Sequence, residues 1–226
     1  MTSIDLEALA AQLESPHSRD RLIALASLRD VAAHEALPLI KKVIHDENIQ
    51  IRSMAVFALG IKQTAENFDL LVNVLDTDSD YSIRASAAGA LGYLEDARAL
   101  EPLLRAFYEE TDWLVRFSAA VSLGNLKHPK AEQALLEALE SSETLLQQAA
   151  IAALGEIGAV EAVEKILRFA NAEDWLVRQR LADALGNLPS PKTRSALEYL
   201  SKDSEPQVAT AAKISLEKLR TLEAEN

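Results

Sequence analysis

Arginine stands at 52, 84, 116 and 178, each time behind Ile or Val and eight residues ahead of a glycine. Guanidinium groups in one register can form a ladder of planar forks, and such forks receive carboxylates from a ligand or a partner in bidentate fashion. A ladder of this kind also has an internal use, pairing with the aspartates that begin the same or the adjacent helix. Gln147 and Ala209 occupy the same register, so an anion site of this type belongs around Arg52, Arg84 and Arg116. Other reactive constellations are sparse. His34-Glu35 is the single His-Glu pair, and His17, His45 and His128 are dispersed, so no metal site is expected. Cysteine is absent, which removes a disulfide framework, a thiolate metal site, a thiol nucleophile and any cofactor held through sulfur. No glycine-rich phosphate loop is present. Asp183 beside Arg180 is the one candidate acid; the remaining carboxylates read as solvated surface, and no catalytic residue is assigned.

The elements that must position these groups follow from a repeat. Its phrase reads IRSMAVFALG from Ile51, IRASAAGALG from Ile83, VRFSAAVSLG from Val115, LQQAAIAALG from Leu146 and VRQRLADALG from Val177, with degenerate copies from Asp20 and Val208. Anchors at 21, 52, 84, 116, 147, 178 and 209 are 31 or 32 residues apart. A fixed period of this length marks a repeat array. Each unit has room for two helices, as in Ala97 to Glu110 followed by Asp112 to Leu126, the second with Asp112 as N-cap and Gly124 where the helix must turn. The residues four before the anchors, His17, Asn48, Asp80, Asp112, Glu143, Asp174 and Glu205, suit N-caps or pairing with the arginine one turn later. The expected architecture is all-α: a right-handed α-solenoid of about seven two-helix repeats over residues 1–226 as one unit. Its first and last repeats act as caps, since they carry Arg29 and Glu217 where the inner repeats have glycine.

The repeat phase separates the faces of the second helix. At 100° per residue, positions -1, +3, +6, +7 and +10 from each anchor share one side and are almost all Ile, Val, Leu, Ala or Ser, so that side is core. Positions -3, -2, +1, +5 and +9, with +2 on the flank, point away from it and should be polar if nothing binds. Instead they hold Ile49, Met54, Phe57 and Ile61 in the second repeat, and Tyr81 and Tyr93 in the third. The fourth repeat holds Trp113, Leu114, Phe117 and Val121, and the sixth Trp175 and Leu176. Six of the eleven aromatic residues lie at these positions, and Gly89 leaves room among them. The ionised residues there, Asp30, Glu156 and Asp183 against Arg19, Arg180 and Lys218, cancel. A nearly neutral aromatic groove on an acidic body is expected to bind a hydrophobic ligand or a partner helix. The recurrence of DWLVR at 112–116 and 174–178 supports a different use, in which the two tryptophans pack the seam between repeats.

Net charge is -12, and a surface of that sign repels phosphates, so nucleic acid is not an expected partner. No basic leader and no long uncharged apolar stretch appears. A soluble, cytoplasmic chain without integral membrane association is expected, and nothing in the sequence indicates a homo-oligomer.

The repeat phrase resembles the HEAT repeats, in the subclass found in phycobilisome lyases, along essentially the whole chain. The stretch from Tyr81 to Glu137, with YSIRASAAGALGYLEDARALEPLLRAFYEETDWLVRFSAAVSLGNL, is similar to the phycobilisome-degradation branch of that family, the non-bleaching B type. The resemblance implies work on phycobiliproteins, whose bilins are thioether-linked to cysteine, and a place near phycobilisomes at the thylakoid surface. The implied function is an adaptor that grips phycobiliprotein subunits or their bilin through the aromatic groove. The residues expected to do so are Met54, Phe57, Tyr81, Tyr93, Trp113, Leu114, Phe117, Val121 and Trp175, with Arg84, Arg116 and Arg178 as anion partners. The alternatives are a bilin lyase that attaches or detaches a phycobilin at a substrate cysteine, and a general HEAT scaffold. No resident cofactor is expected. Without cysteine, phycocyanobilin would be held non-covalently.

Overall fold

Short side-chain oxygens ahead of apolar runs set where the helices begin. Asn48 accepts from the Gln50 N–H, Asp80 from Ser82, Asp112 from Leu114 and Asp174 from Leu176, satisfying donors that the first turn leaves unpaired. These caps open α4 (Ile49–Ile61), α6 (Tyr81–Tyr93), α8 (Trp113–Asn125) and α12 (Trp175–Leu185). The equivalent helices α2 (Ser18–Ser27), α10 (Thr144–Glu156) and α14 (Pro206–Ala224) complete the set of second helices. His17 and Glu143, expected as caps, make no such bond. The first helices are α1 (Leu6–Leu13), α3 (Ala33–Lys41), α5 (Asn67–Thr77), α7 (Leu100–Glu109), α9 (Glu132–Ala138), α11 (Val163–Ile166) and α13 (Pro191–Leu200). In the sixth repeat the first helix is broken into a single α-turn flanked by 3₁₀ turns.

This computed structural model describes residues 5–224, which are all-helical and contain no strand. The chain divides into two compact units, Met1–Ala99 and Leu100–Asn226. In the first unit α2 packs on α4 and α4 on α6, with α1, α3 and α5 against their own second helices or each other. In the second unit α8, α10, α12 and α14 pack in succession, with α7, α9 and α13 alongside. The core follows the repeat phase: Ile51, Ala55 and Leu59 on α4, Ile83, Ala87 and Leu91 on α6, and Val115, Ala119 and Leu123 on α8 are all buried. Each is the -1, +3 and +7 residue of its repeat, so one helical face supplies the core copy after copy.

The repeat glycines require a correction. Gly60, Gly124 and Gly155 lie within helices, and the only described glycine with a left-handed backbone is Gly158, at φ 71°. Their role is close approach. A Cβ on Gly124 would stand 2.6 Å from the Ala153 Cβ, on Gly155 2.7 Å from the Ala184 Cα, and on Gly186 2.7 Å from the Ser215 Oγ. Each glycine therefore meets the small +6 residue of the following repeat, and helix-to-helix contact, not chain reversal, is what requires it.

Polar atoms inside the stack are matched. Asn67 is fully buried, and its Nδ2 donates to the carbonyls of Leu59 and Lys62 at 2.6 Å each, tying the end of α4 to the start of α5. Thr193, also fully buried, donates to the Leu188 carbonyl at 2.6 Å. No buried side-chain nitrogen or oxygen among the described residues lacks a partner, as burial without one is costly. No described helix is long and apolar enough to cross a membrane.

Candidate functional site

The non-core side of the second helices carries exposed apolar side chains in both units. In the first unit Phe57 is 66% and Tyr93 70% exposed, Ile49, Ile61 and Tyr81 are exposed, and Met54 is half-buried. They project from α4 and α6, which pack against each other. Gly89 has nothing within 4 Å of where its Cβ would be, so the middle of α6 is left open between the two tyrosines. The Gln63 side chain donates to the Tyr93 carbonyl at 3.0 Å and fixes the end of α6 there.

In the second unit Trp113 is 43% and Trp175 39% exposed. Trp113 and Phe117 meet edge to face with ring centroids 6.5 Å apart, a geometry that ring quadrupoles favour. Val121 is exposed, and Leu114 and Phe117 are half-buried. The two tryptophans thus bury more than half their surface and present the rest, which combines a scaffold contact with an accessible ring. Three exposed side chains at the same positions escape the sequence reading: Ile23, Leu145 and Ile214. Each sits in a copy without an aromatic residue at these positions, where an aromatic-led pattern does not flag it.

Further along this side, α12 and α14 flank an open cleft of about 460 Å³ lined by Gln179, Asp183, Gln207, Thr210 and Ile214 among others. Burial raises the Asp183 carboxyl above its ordinary range, against the opposing pull of Arg180. It is the one carboxylic acid among the described residues with a resolved upward displacement, the sense in which partial desolvation moves a carboxyl. No group of three or more His, Asp or Glu side chains is placed to hold a metal among the described residues.

The anchor arginines are mostly committed within the stack, and by partners that lie outside their own helix starts. Arg52 donates through Nε and Nη2 to Asp78 at 2.8 and 3.2 Å, and through Nη1 to the Asp46 carbonyl at 2.8 Å. Arg178 does the same with Asp203, at 2.7 and 3.0 Å, and with the Ala172 carbonyl at 2.6 Å. Arg21 forms the equivalent set with Asp46, at 2.7 and 2.9 Å, and the Ser15 carbonyl at 2.8 Å. One rule covers all three: a carbonyl six residues before the anchor, and an aspartate six residues before the next anchor. Arg84 likewise donates to a carbonyl six residues before it, that of Asp78, at 2.9 Å. The fork holds Asp203 below the usual carboxylate range, and Asp203 in turn raises Arg178. These aspartates stand just before the adjacent second helix, two residues ahead of the N-cap positions considered from the sequence.

Arg116 departs from the rule. Its Nε donates to the Phe107 carbonyl at 3.2 Å and its guanidinium carbon lies 5.5 Å from the Phe107 ring centroid. Of the three arginines expected to receive an anion, Arg178 already holds one from its own chain, whereas Arg116 does not hold a carboxylate among the described residues.

The chain is similar to a solved complex of CpcE and CpcF of the phycocyanin lyase from Nostoc sp. PCC7120, with 26% identity and a TM-score of 0.65, over 77% of this chain and 73% of that one. It is similar in fold to Kap95p in its structure with RanGDP, at 16% identity and TM-score 0.66, spanning all of this chain and 36% of that one. An engineered protein gives 21% identity and TM-score 0.60 over 95% of this chain and 68% of the other. No curated protein matches the sequence. The family profile described as HEAT repeats matches residues 6–88, 68–149 and 132–217, and with buried faces, small-residue contacts and interlocking arginine rungs recurring in that register, the chain belongs to the HEAT-repeat family.

Proposed function

We propose that the protein is a non-enzymatic binding module that grips a phycobiliprotein subunit or its bilin through the exposed aromatic side chains of its second helices, acting in phycobilisome degradation or chromophore handling. The observation that carries the reading is the Trp113–Phe117 edge pair, which keeps ring surface accessible at positions where a solvated helix would carry charge. Phe57, Tyr81 and Tyr93 present a second aromatic surface in the other unit. Support for the partner class comes from the likeness to the CpcE and CpcF complex. Rigid aromatic surface of this kind suits a flat, largely apolar ligand or a partner helix, since it is already ordered before binding. Phycocyanobilin would be held non-covalently, as the chain offers no thiol.

The test is a titration of the full chain with phycocyanobilin and, separately, with phycocyanin subunits, followed by bilin absorption and tryptophan quenching. Saturable binding that falls by an order of magnitude or more in Trp113→Ala, roughly the effect of truncating an interface tryptophan, is the expected result. Absence of binding to either probe refutes the phycobiliprotein reading and leaves a HEAT scaffold for another partner.

A second reading, a lyase-type activity that attaches or detaches a phycobilin at a substrate cysteine, is supported by the likeness to the phycocyanin lyase complex and by Asp183. A carboxyl whose affinity for its proton is raised by partial burial is a candidate donor to a leaving sulfur or a bilin carbon. Bilin transfer to apo-phycocyanin that depends on Asp183 would establish this reading, and an unchanged transfer rate with the chain present would exclude it.

A further inference from the structure

Where Arg21, Arg52 and Arg178 each find an aspartate 25 or 26 residues further on, Arg116 finds Ser141, 25 residues on. The turn at residue 141 keeps one bond of the other rungs. Ser141 Oγ accepts the Glu143 N–H at 3.1 Å, the turn bond that the carboxylates of Asp46, Asp78 and Asp203 make with the N–H two residues on. Two things differ: a hydroxyl stands in place of the carboxylate, and Arg116 donates to the Phe107 carbonyl in place of one six residues before it. Glu140, beside Ser141, does not substitute for it, being paired with Arg168 at 2.7 Å. Arg116 is half-buried and rests its fork against Phe107, a weaker partner for a guanidinium than the bidentate carboxylate of the other rungs.

We propose that Arg116 and Ser141 form an open rung, a carboxylate-binding site in which an acid from outside the chain takes the place that Asp46, Asp78 and Asp203 hold elsewhere. The setting defines the rest of the ligand. Trp113 lies one helical turn before Arg116 on α8, and Phe117 follows it, both with accessible surface. The ligand is therefore a carboxylate joined to an apolar or aromatic body. It is supplied either by a small molecule with a pendant acid or by an Asp or Glu side chain of a protein partner beside an apolar residue. Bidentate geometry makes the fork selective for a planar carboxylate over chloride or an alcohol. The inference extends the function proposed above by naming what the ligand carries, and it stands on Arg116 whether or not that ligand is a bilin.

The experiment follows the Arg116 Nε–H signal by NMR in the full chain during titration with 3-phenylpropionate and with 3-phenylpropanol at equal ionic strength. The acid is expected to shift the signal saturably and the alcohol to leave it in place. Ser141→Asp supplies the rung from within and is expected to weaken acid binding roughly tenfold or more, the loss of one charge-assisted contact. A structure of that variant should show the Arg116 fork moved from Phe107 onto the new carboxylate. Arg116→Lys, which keeps the charge and loses the fork, is a second variant expected to weaken the acid. Competition by 3-phenylpropionate against phycocyanin subunits identifies a protein side chain as the source, and competition against phycocyanobilin alone identifies a small molecule. Equal shifts with acid and alcohol, or acid binding unchanged in Ser141→Asp and Arg116→Lys, overturn the open rung. Acid binding at Arg116 without binding of bilin or phycocyanin overturns the proposed function and leaves the rung standing.

Discussion

Adding one methyl group at each of four glycines should change stability in a graded order that helix propensity alone cannot produce. Alanine in place of glycine stabilises a helix interior by about 0.5–1 kcal/mol. At Gly89 the new Cβ meets nothing within 4 Å, so Gly89→Ala should keep that gain in full. At Gly60 the Cβ would lie 3.2 Å from the Ala90 Cβ and 3.5 Å from its Cα; a displacement of a few tenths of an ångström cancels the gain, and Gly60→Ala should be close to neutral. At Gly124 the distances to Ala153 Cβ and Cα are 2.6 and 2.8 Å, and at Gly155 those to Ala184 Cα and Cβ are 2.7 and 2.8 Å. These atoms belong to the backbone or its first carbon, so no rotamer relieves the clash, and adjacent helices must part by about 1 Å to restore ordinary contact. Overpacking of this sort costs about 1–3 kcal/mol, leaving a net loss of about 1–2 kcal/mol after the propensity gain. The measurement is urea denaturation of the four variants, comparing Gly60→Ala with Gly89→Ala in one unit and Gly124→Ala with Gly155→Ala in the other. At constant slope, midpoints should rise for Gly89→Ala, hold for Gly60→Ala and fall for the other two. Gly124→Ala and Gly155→Ala as stable as the parent would refute the close-approach account and return these glycines to a turn-forming role.

Three further outcomes follow. Asn67→Ala should destabilise the chain by about 2 kcal/mol in urea unfolding, because it strands the buried Leu59 carbonyl and the part-buried Lys62 carbonyl without their donor. Asp203→Asn should lower stability at pH 7 by about 1 kcal/mol, the scale of a charged pair that retains some solvent contact. Because Arg178 holds the folded-state Asp203 below its unfolded value, the stabilisation is present above about pH 4 and is lost as pH falls through the folded value. The gap between parent and variant should therefore narrow toward pH 3. Asp183→Asn should act in the opposite sense: burial raises this carboxyl, so ionising it disfavours the fold, and the variant should be the more stable form at pH 7. That advantage should fade below about pH 4, where the parent is protonated both folded and unfolded; an advantage independent of pH would show that the side chain's charge is not the cause.

Much of the site's placement was legible in the residues. The 31- or 32-residue register, the apolar -1, +3 and +7 positions and the N-caps at Asn48, Asp80, Asp112 and Asp174 are local properties, and the structure repeats them. The same phase anticipated that Phe57, Tyr81, Tyr93 and Trp113 would reach the surface. The glycines were misread, since their position near a helix end fits a turn equally well, and only the 2.6–2.8 Å approaches distinguish packing from reversal. Pairing of the arginines with aspartates near the start of the adjacent helix was anticipated, but Asp46, Asp78 and Asp203 were not singled out, because a fork that spans to the next repeat obeys no helical spacing.

The sequence by itself determined the repeat, the pairing of helices and the face each one buries, because these follow from side-chain chemistry at 3.6-residue and 31-residue periods along one chain. Tertiary structure alone decided that Arg52 and Arg178 are satisfied by Asp78 and Asp203 while Arg116 turns to Phe107, and that Gly89 faces open space while Gly124 touches Ala153. Those outcomes depend on the distance between atoms of different repeats, which is set by how closely neighbouring helices pack.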